Sequence, residues 1–562
     1  MSPPPRKKLR TIPRVASPAP SSTTTGYQEV AVDKLPNELL DYIFKFVVNT
    51  DDETWGENRG LGRRALITLF RASSVCKRWR TLLHGPSIWG RVVDLDCMAQ
   101  RKGDFRRLVM KRTRGAKDLY VKGDISHEDP LVLFLRTWTE PEHYNGDHWQ
   151  RMRRLDLTIR DADILDELYA LFATTPPRNL QSLRFIFQKD GDEGGHPPIT
   201  FNTYIPSLLH LDTNALYLPH QAAILSTLQS LSISFSDQPQ VPYTLVDFAA
   251  VLSQMTKLES LNICDAFLPA RPPPSNSLPT IYLPRLRKVR ITNDYECFAL
   301  LKAITPHPEC SINIHITESL DDNIMVLQST LSRYAGEFAK VRTVDTIQVE
   351  LAEYSIVVRL AAAPSEHRER TPSFSFNAKL TSRIHALDIL LGVFDACDLR
   401  CVTTLELDLL TRMMRTRPAI PSPEIRHLIS RLSGVQTLVT NMRTVKLLDG
   451  LTTPQCIFPS LQTLRLTSLI ISYGDERFIN DGNPARLRVD AKLLMDFLSR
   501  RAGTVHKLDL MQCALEDSVR FLDSPPFRHL KVLWKNGDGR RKEYTCGDGT
   551  LTNLDFGHLY EE

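Results

Sequence analysis

From residue 152 onward one short phrase keeps returning, and it constrains the fold more than any other feature of the chain. It reads MRRLDLTI (152–159), LQSLRFIF (180–187), LQSLSISF (228–235), LESLNICD (258–265) and LRKVRITN (286–293). Further on it becomes VTTLELDLL (402–410), VQTLVT (435–440), LQTLRLTSLII (461–471), VHKLDLMQCAL (505–515) and FRHLKVLW (527–534). Well-formed neighbours stand 28 residues apart from Leu155 to Leu183, 30 from Leu231 to Leu261 and 28 from Leu261 to Val289. Apolar and polar residues alternate within each copy, the period of a strand with one buried face. A single unit cannot bury its leucines alone, whereas stacked units bury them continuously and hold by nearest-neighbour contacts. Leucines therefore face inward from short strands, and helices or irregular turns cover the other side.

A period in the twenties around L-x-x-L-x-L resembles the leucine-rich repeat. The fullest copy is Val505-x-x-Leu508-x-Leu510-x-x-Cys513-x-Leu515, with Cys513 in the turn; most other copies lack the Asn or Cys, so these are degenerate repeats, over residues 151–545. The resemblance implies an α/β fold class: a curved solenoid with parallel strands on its concave face, where a target protein binds. Arg154, Asp156, Ser260, Asn262, Thr463, Arg465, Lys507 and Asp509 flank the inward leucines and are the candidate target-binding residues. Between the copies, TIQVELAEYSIVVRLAAA (346–363) and SFSFNAKL (373–380) alternate like hairpin strands around a polar link. Loops 188–198, 269–279 and 473–486, rich in Gly, Pro and charge, project and are candidate partner loops.

Residues 35–89 carry a second, helical signal. Leu39, Leu40, Ile43, Phe44 and Val47 recur at helical spacing behind Pro36 and Glu38, which suit a helix N-terminus. The series Leu66, Leu69, Phe70, Val75, Cys76, Trp79, Leu82 and Leu83 makes one longer helix or two short ones, closed by Gly85 and Pro86. So few residues make a small core, which a partner completes. Leu35-Pro36-x-Glu38-Leu39, Ile43-Phe44, Val75-Cys76-x-x-Trp79-Arg80 and Ile88-Trp89, in that order, resemble the F-box, the helical module that docks on the Skp-type adaptor of cullin ubiquitin ligases. By that resemblance Leu35, Pro36, Leu39, Ile43, Phe44, Val75, Cys76, Trp79 and Trp89 form the adaptor-facing or module-core surface; the sequence does not sort these two roles. The F-box is assigned to residues 31–92, with residues 49–64 a polar insertion that loops into water. Degenerate leucine-rich repeats behind an F-box resemble a fungal-type F-box family and imply the substrate-recognition subunit of an SCF-type ligase. The alternative is a scaffold whose F-box serves assembly without ubiquitin transfer.

The remainder bounds these readings. Residues 1–30 are a basic Pro/Ser/Thr tail expected to be disordered, 93–150 a connecting segment and 546–562 a C-terminal tail. The tail's Arg6, Lys7, Lys8, Arg10 and Arg14 against Glu29 account for +4 of the net +5, so the body is near neutral and nucleic acid is not the expected ligand. No apolar run of membrane length and no secretory leader is expected, which puts the chain in the cytoplasm, the nucleus or both, with its ten cysteines as free thiols. Basic residues 101–117 read as a helix with a solvated face. Gly60-Leu61-Gly62-Arg63-Arg64-Ala65 matches a dinucleotide fingerprint but follows no strand, and His307, Cys310 and His315 lack a fourth ligand. Neither catalysis nor a cofactor is expected.

Overall fold

The structure, a computed structural model, describes residues 35–48, 59–99, 103–125, 147–188, 198–235, 243–267, 278–292, 297–315, 324–352, 355–363, 371–379, 383–409, 423–451, 457–467, 493–513, 522, 524–535 and 540–548 of the 562-residue chain. The basic tail, the segment 130–138, nearly all of the three charged loops and the chain beyond residue 548 lie outside these. It is a mixed α/β protein: N-terminal helices followed by a long, mostly parallel sheet.

The helical part comprises α1 (Asn37–Val48), α2 (Arg59–Ala72), α3 (Lys77–Leu82) and α4 (Pro86–Trp89). Behind it come α5 (Leu95–Ala99) and α6 (Gly103–Thr113). The expected second helix is thus two, broken at Ser73–Cys76, where Cys76 caps α3 by accepting the Trp79 amide at 3.4 Å. Residues 59–64 correct the expected looped insertion, since they are the first turns of α2. The Gly60–Ala65 motif is therefore part of a helix and forms no phosphate-cradling turn.

Strands follow in the order β1 (Val93–Asp94), β2 (Leu119–Ile125), β3 (Met152–Ile159), β4 (Ser182–Phe187), β5 (Ile199–Thr200), β6 (His210–Thr213), β7 (Leu216–Tyr217) and β8 (Ser230–Ser234). Next are β9 (Ser260–Cys264), β10 (Ile281–Tyr282), β11 (Lys288–Thr292), β12 (Ile304–Thr305), β13 (Ser311–His315), β14 (Val344–Leu351), β15 (Ser355–Ala362) and β16 (Ser373–Lys379). The last are β17 (Thr404–Leu409), β18 (Thr437–Thr440), β19 (Thr463–Leu466), β20 (Lys507–Asp509), β21 (Lys531–Lys535) and β22 (Arg541–Thr545). Every copy of the repeated phrase supplies a strand.

Pairings place the eighteen strands of the main sheet in the spatial order 1-2-3-4-6-8-9-11-13-16-15-14-17-18-19-20-21-22. β5 pairs with β7 and β10 with β12 in two small parallel sheets. The sheet is open, ending at β1 and β22, and β1 and β2 come from the connecting segment 93–150. All pairings are parallel except β16–β15–β14 and β21–β22. The expected hairpin strands are therefore a meander set in reverse: the chain passes from β13 through the helix Ile324–Val341 to β14, and returns along β15 and β16 to pair beside β13. Helix Arg383–Asp395 then leads to β17, beside β14.

Register explains the core. Val121, Leu155, Leu183, Leu211, Leu231, Leu261, Val289, Ile312 and Phe376 stand opposite one another on successive strands, all but solvent-free. Burying each such side chain stabilises the fold by about 1.5–3 kcal/mol. Thr440 interrupts the row beyond β17, but its buried hydroxyl donates to the Leu407 carbonyl at 2.7 Å. Asn214 ties the row's edge, exchanging hydrogen bonds of 2.6 and 2.7 Å with the Phe187 backbone.

Candidate partner-docking surfaces

Helix α1 has apolar residues on two sides, and packing separates them. Leu40 and Phe44 are buried, Phe44 meeting Trp79 edge to face at 5.2 Å between ring centres. Leu39, Tyr42, Ile43 and Phe46, at i, i+3, i+4 and i+7, lie on the open side, with Phe46 73 % exposed. Val47 is exposed beside them, and Val75, at the α2–α3 break, is 64 % exposed. An apolar stripe along a helix that already has a buried face is a surface made for a partner.

The nine residues expected to serve adaptor or core thus divide. Leu39, Ile43 and Val75 are exposed apolar residues, and Pro36 is exposed at the start of α1. Phe44 and Trp89 are core, Trp89 with its indole N–H on the Leu83 carbonyl, so neither reaches a partner directly. Leu35, Cys76 and Trp79 are half-buried between the two. Arg78 anchors α1, donating to Asn37 Oδ1 at 2.8 Å and to the Leu35 carbonyl. Tyr42 and Phe46 were missed as surface residues; their spacing with Leu39 and Ile43 was the available signal.

The basic segment forms α6; its Arg106 and Arg112 pack against the module, while Arg107 stays at the surface. Arg112 lies over the Trp89 ring at 4.9 Å, Arg106 donates to the Met98 carbonyl at 2.8 Å and Arg107 pairs with Asp104 at 2.5 Å. In the first turn of α5, Asp96 accepts the Asp124 amide at 2.7 Å, and burial pushes its carboxyl up to about 6.

The second surface is the sheet face opposite the leucines. Its side chains fall into rows, one of them running Asp94, Lys122, Asp156, Arg184, Asp212, Ser232, Asn262, Arg290, Asn313 and Asn377 across ten strands. The first five alternate in charge and pair: Lys122 with Asp94 at 3.6 Å, Arg184 with Asp156 at 3.2 Å and with Asp212 at 2.9 Å. Burial works against the Arg184 charge, but Asp156 and Asp212 outweigh it and raise its pKa.

Two of the eight expected target-binding residues are occupied within the sheet face. Asp156 and Asp509 are buried, and their carboxylates are spent on Arg184 and on Arg465 at 3.0 Å. Arg154, Ser260, Asn262, Thr463, Arg465 and Lys507 are half-buried on the expected face. Over β4–β16 that face encloses a cavity of about 640 Å³ floored by the serine and asparagine positions. A smaller one of about 280 Å³ lies between Arg465, Lys507 and Arg541. From β14 to β17 the face turns acidic with Glu350, Glu406 and Asp408; burial raises the pKa of Asp408, against which its Asn441 hydrogen bond works.

Cys310 and Cys397 are buried thiols pushed up to about 12 by burial, and His307 accepts the Glu309 amide at 3.1 Å. Among the described residues no group of three or more His, Cys, Asp or Glu could hold a metal ion, and no helix is long and apolar enough to cross a membrane.

Residues 32–94 match the F-box-like family, a span that takes in α1 to α4 and β1. No curated protein and no solved structure matches the chain.

Proposed function

We propose that this chain is the substrate-recognition subunit of an SCF-type ubiquitin ligase. The observation that carries the reading is the exposed stripe Leu39, Tyr42, Ile43 and Phe46 on a helix inside the F-box-like domain: a solvent-facing apolar surface where such a domain meets a Skp-type adaptor. In this reading Pro36, Leu39, Ile43 and Val75 contact the adaptor together with Tyr42, Phe46 and Val47, while Phe44 and Trp89 hold the helices in place. The strand-and-helix units behind it are degenerate leucine-rich repeats of a curved solenoid, whose open face holds the target.

The mechanism is proximity. Fixing the target near a charged ubiquitin-conjugating enzyme converts an encounter into an effectively intramolecular transfer. The chain supplies no reacting group and needs no cofactor, and its complex works in the cytoplasm, the nucleus or both. The test is co-assembly of the purified chain with a Skp-type adaptor and a cullin on size exclusion. A ternary complex that forms only when the adaptor is present supports the reading; an adaptor complex that excludes the cullin overturns it in favour of a scaffold.

A further inference from the structure

The open face is not uniform, and its chemistry specifies more than a place to bind. Strands β8, β9, β11, β13 and β16 read SLSIS, SLNIC, KVRIT, SINIH and SFSFNAK, without one acidic residue. Their outward positions carry Lys288, Arg290, His315 and Lys379 among serines, threonine and asparagines. Among the described residues Glu259 and Asp265 stand outside β9 at its two ends, and Asp212 on β6, opposite Ser232, is paired with Arg184. On either side of this zone the charges change: Arg184 is already committed to Asp156 and Asp212, and beyond β15 stand Glu350, Glu406 and Asp408.

Four of the polar groups here are also unspent. Among the described residues Arg290, Lys379, Asn313 and Asn377 make no ion pair or side-chain hydrogen bond, although all four line the 640 Å³ cavity. Asn262 donates to Ser232 Oγ at 2.9 Å, yet its Oδ1 is shielded from solvent and accepts nothing. A desolvated acceptor without a donor is a standing cost that a bound N–H relieves. Carboxamides offer a donor and an acceptor side by side, the complement of a peptide group. The row Ser232, Asn262, Arg290, Asn313, Asn377 spans five adjacent strands, about 19 Å at the usual strand spacing, or about six residues of extended chain.

We propose that this zone binds a short, extended acidic segment of the target protein, its backbone read by the asparagine row and its carboxylates by Arg290 and Lys379. His315 and Lys288 add to the field, and the Glu350, Glu406 and Asp408 carboxylates end the site by repulsion. The inference deepens the receptor reading and rests on it for the word target, but the binding chemistry is testable by itself.

The experiment is selection from a random ten-residue peptide library by the purified full-length chain bound to its adaptor, with four preparations compared: wild type, Arg290→Glu/Lys379→Glu, Asn313→Ala/Asn377→Ala, and Lys535→Glu as a control on distant β21. Wild type and the control are expected to enrich Asp and Glu at least fivefold over the input. The charge-reversed variant is expected to lose that enrichment. For individual retained peptides, the asparagine variant is expected to weaken binding about tenfold while preserving the acidic preference. Phosphorylating a retained peptide on serine is expected to add little, because the site is built for carboxylates along a chain and not for one dianion. Absence of acidic enrichment in wild type overturns the proposal, as does enrichment that survives Arg290→Glu/Lys379→Glu. Adaptor binding is read on the same preparations: losing it in all of them sinks the receptor reading alone, whereas keeping it without acidic selection sinks this inference alone.

Discussion

Leu261→Ala tests the logic of the sheet quantitatively. Leu261 is 1 % exposed and sits in register between Leu231 and Val289. The truncation removes three carbon atoms, about 2.4 kcal/mol of transfer free energy at about 0.8 per methylene. Because strands on both sides pin the backbone, the site collapses poorly and the cavity adds to this, for a total of about 3–4 kcal/mol. Its neighbour Ser260 faces the other way and is half-buried, so Ser260→Ala is expected within about 0.5 kcal/mol of wild type. Each strand pairs only with its neighbours, so the loss is local. Native-state amide exchange should show lowered protection in β8, β9 and β11, with little change in β18–β20. Equal effects of the two substitutions, or a loss spread evenly over the sheet, would refute the reasoning.

Three further outcomes follow from particular side chains. Phe44→Ala should cost about 3–4 kcal/mol of stability in thermal unfolding, whereas Phe46→Ala, at an exposed site, should leave stability within about 0.5 kcal/mol and weaken adaptor binding about tenfold in calorimetry. Arg184→Met leaves the buried Asp156 carboxylate without its guanidinium and should destabilise by about 3 kcal/mol, while Arg184→Met/Asp156→Leu should recover most of that in the same melts. Asp96 has a folded pKa raised to about 6, so the folded state holds its proton more tightly than the unfolded chain; stability from this group is full below about pH 4 and is lost as pH rises through about 6. Asp96→Asn keeps the acceptor for the Asp124 amide and should flatten that decline in unfolding measured from pH 4 to 7, and an unchanged slope would exclude Asp96 as its source.

Period-two patterning made the strands legible, because a leucine row needs register and register needs alternation. Several strands escaped notice, β6 and β13 of the main sheet among them. In β6, Thr213 stands where the phrase has its second apolar residue, and at β13 the apolar set is Ile312 and Ile314, with Cys310 just before the strand and no leucine. The reversed meander was legible as three strands but not as an insertion, since its order depends on pairing partners far away in sequence. Of the docking surfaces, the helices and their order were readable, while the division of α1 between Phe44 and Phe46 was not. Two residues along a helix is about half a turn, and only the placement of α3 and Trp79 decides which side is inside. The engagement of Asp156 and Asp509 was unreadable for the same reason: Arg184 and Arg465 pair with them across strands, 28 and 44 residues away in sequence.

The central claim is that the exposed stripe of α1 docks an adaptor, and titration of the intact chain with purified Skp-type adaptor tests it most directly. The account predicts binding with a Kd near or below about 1 µM. Leu39→Asp/Ile43→Asp should weaken it at least a hundredfold while the circular dichroism spectrum and the unfolding midpoint stay unchanged. An intact, folded chain that does not bind the adaptor, or a double variant that binds as wild type does, would contradict it.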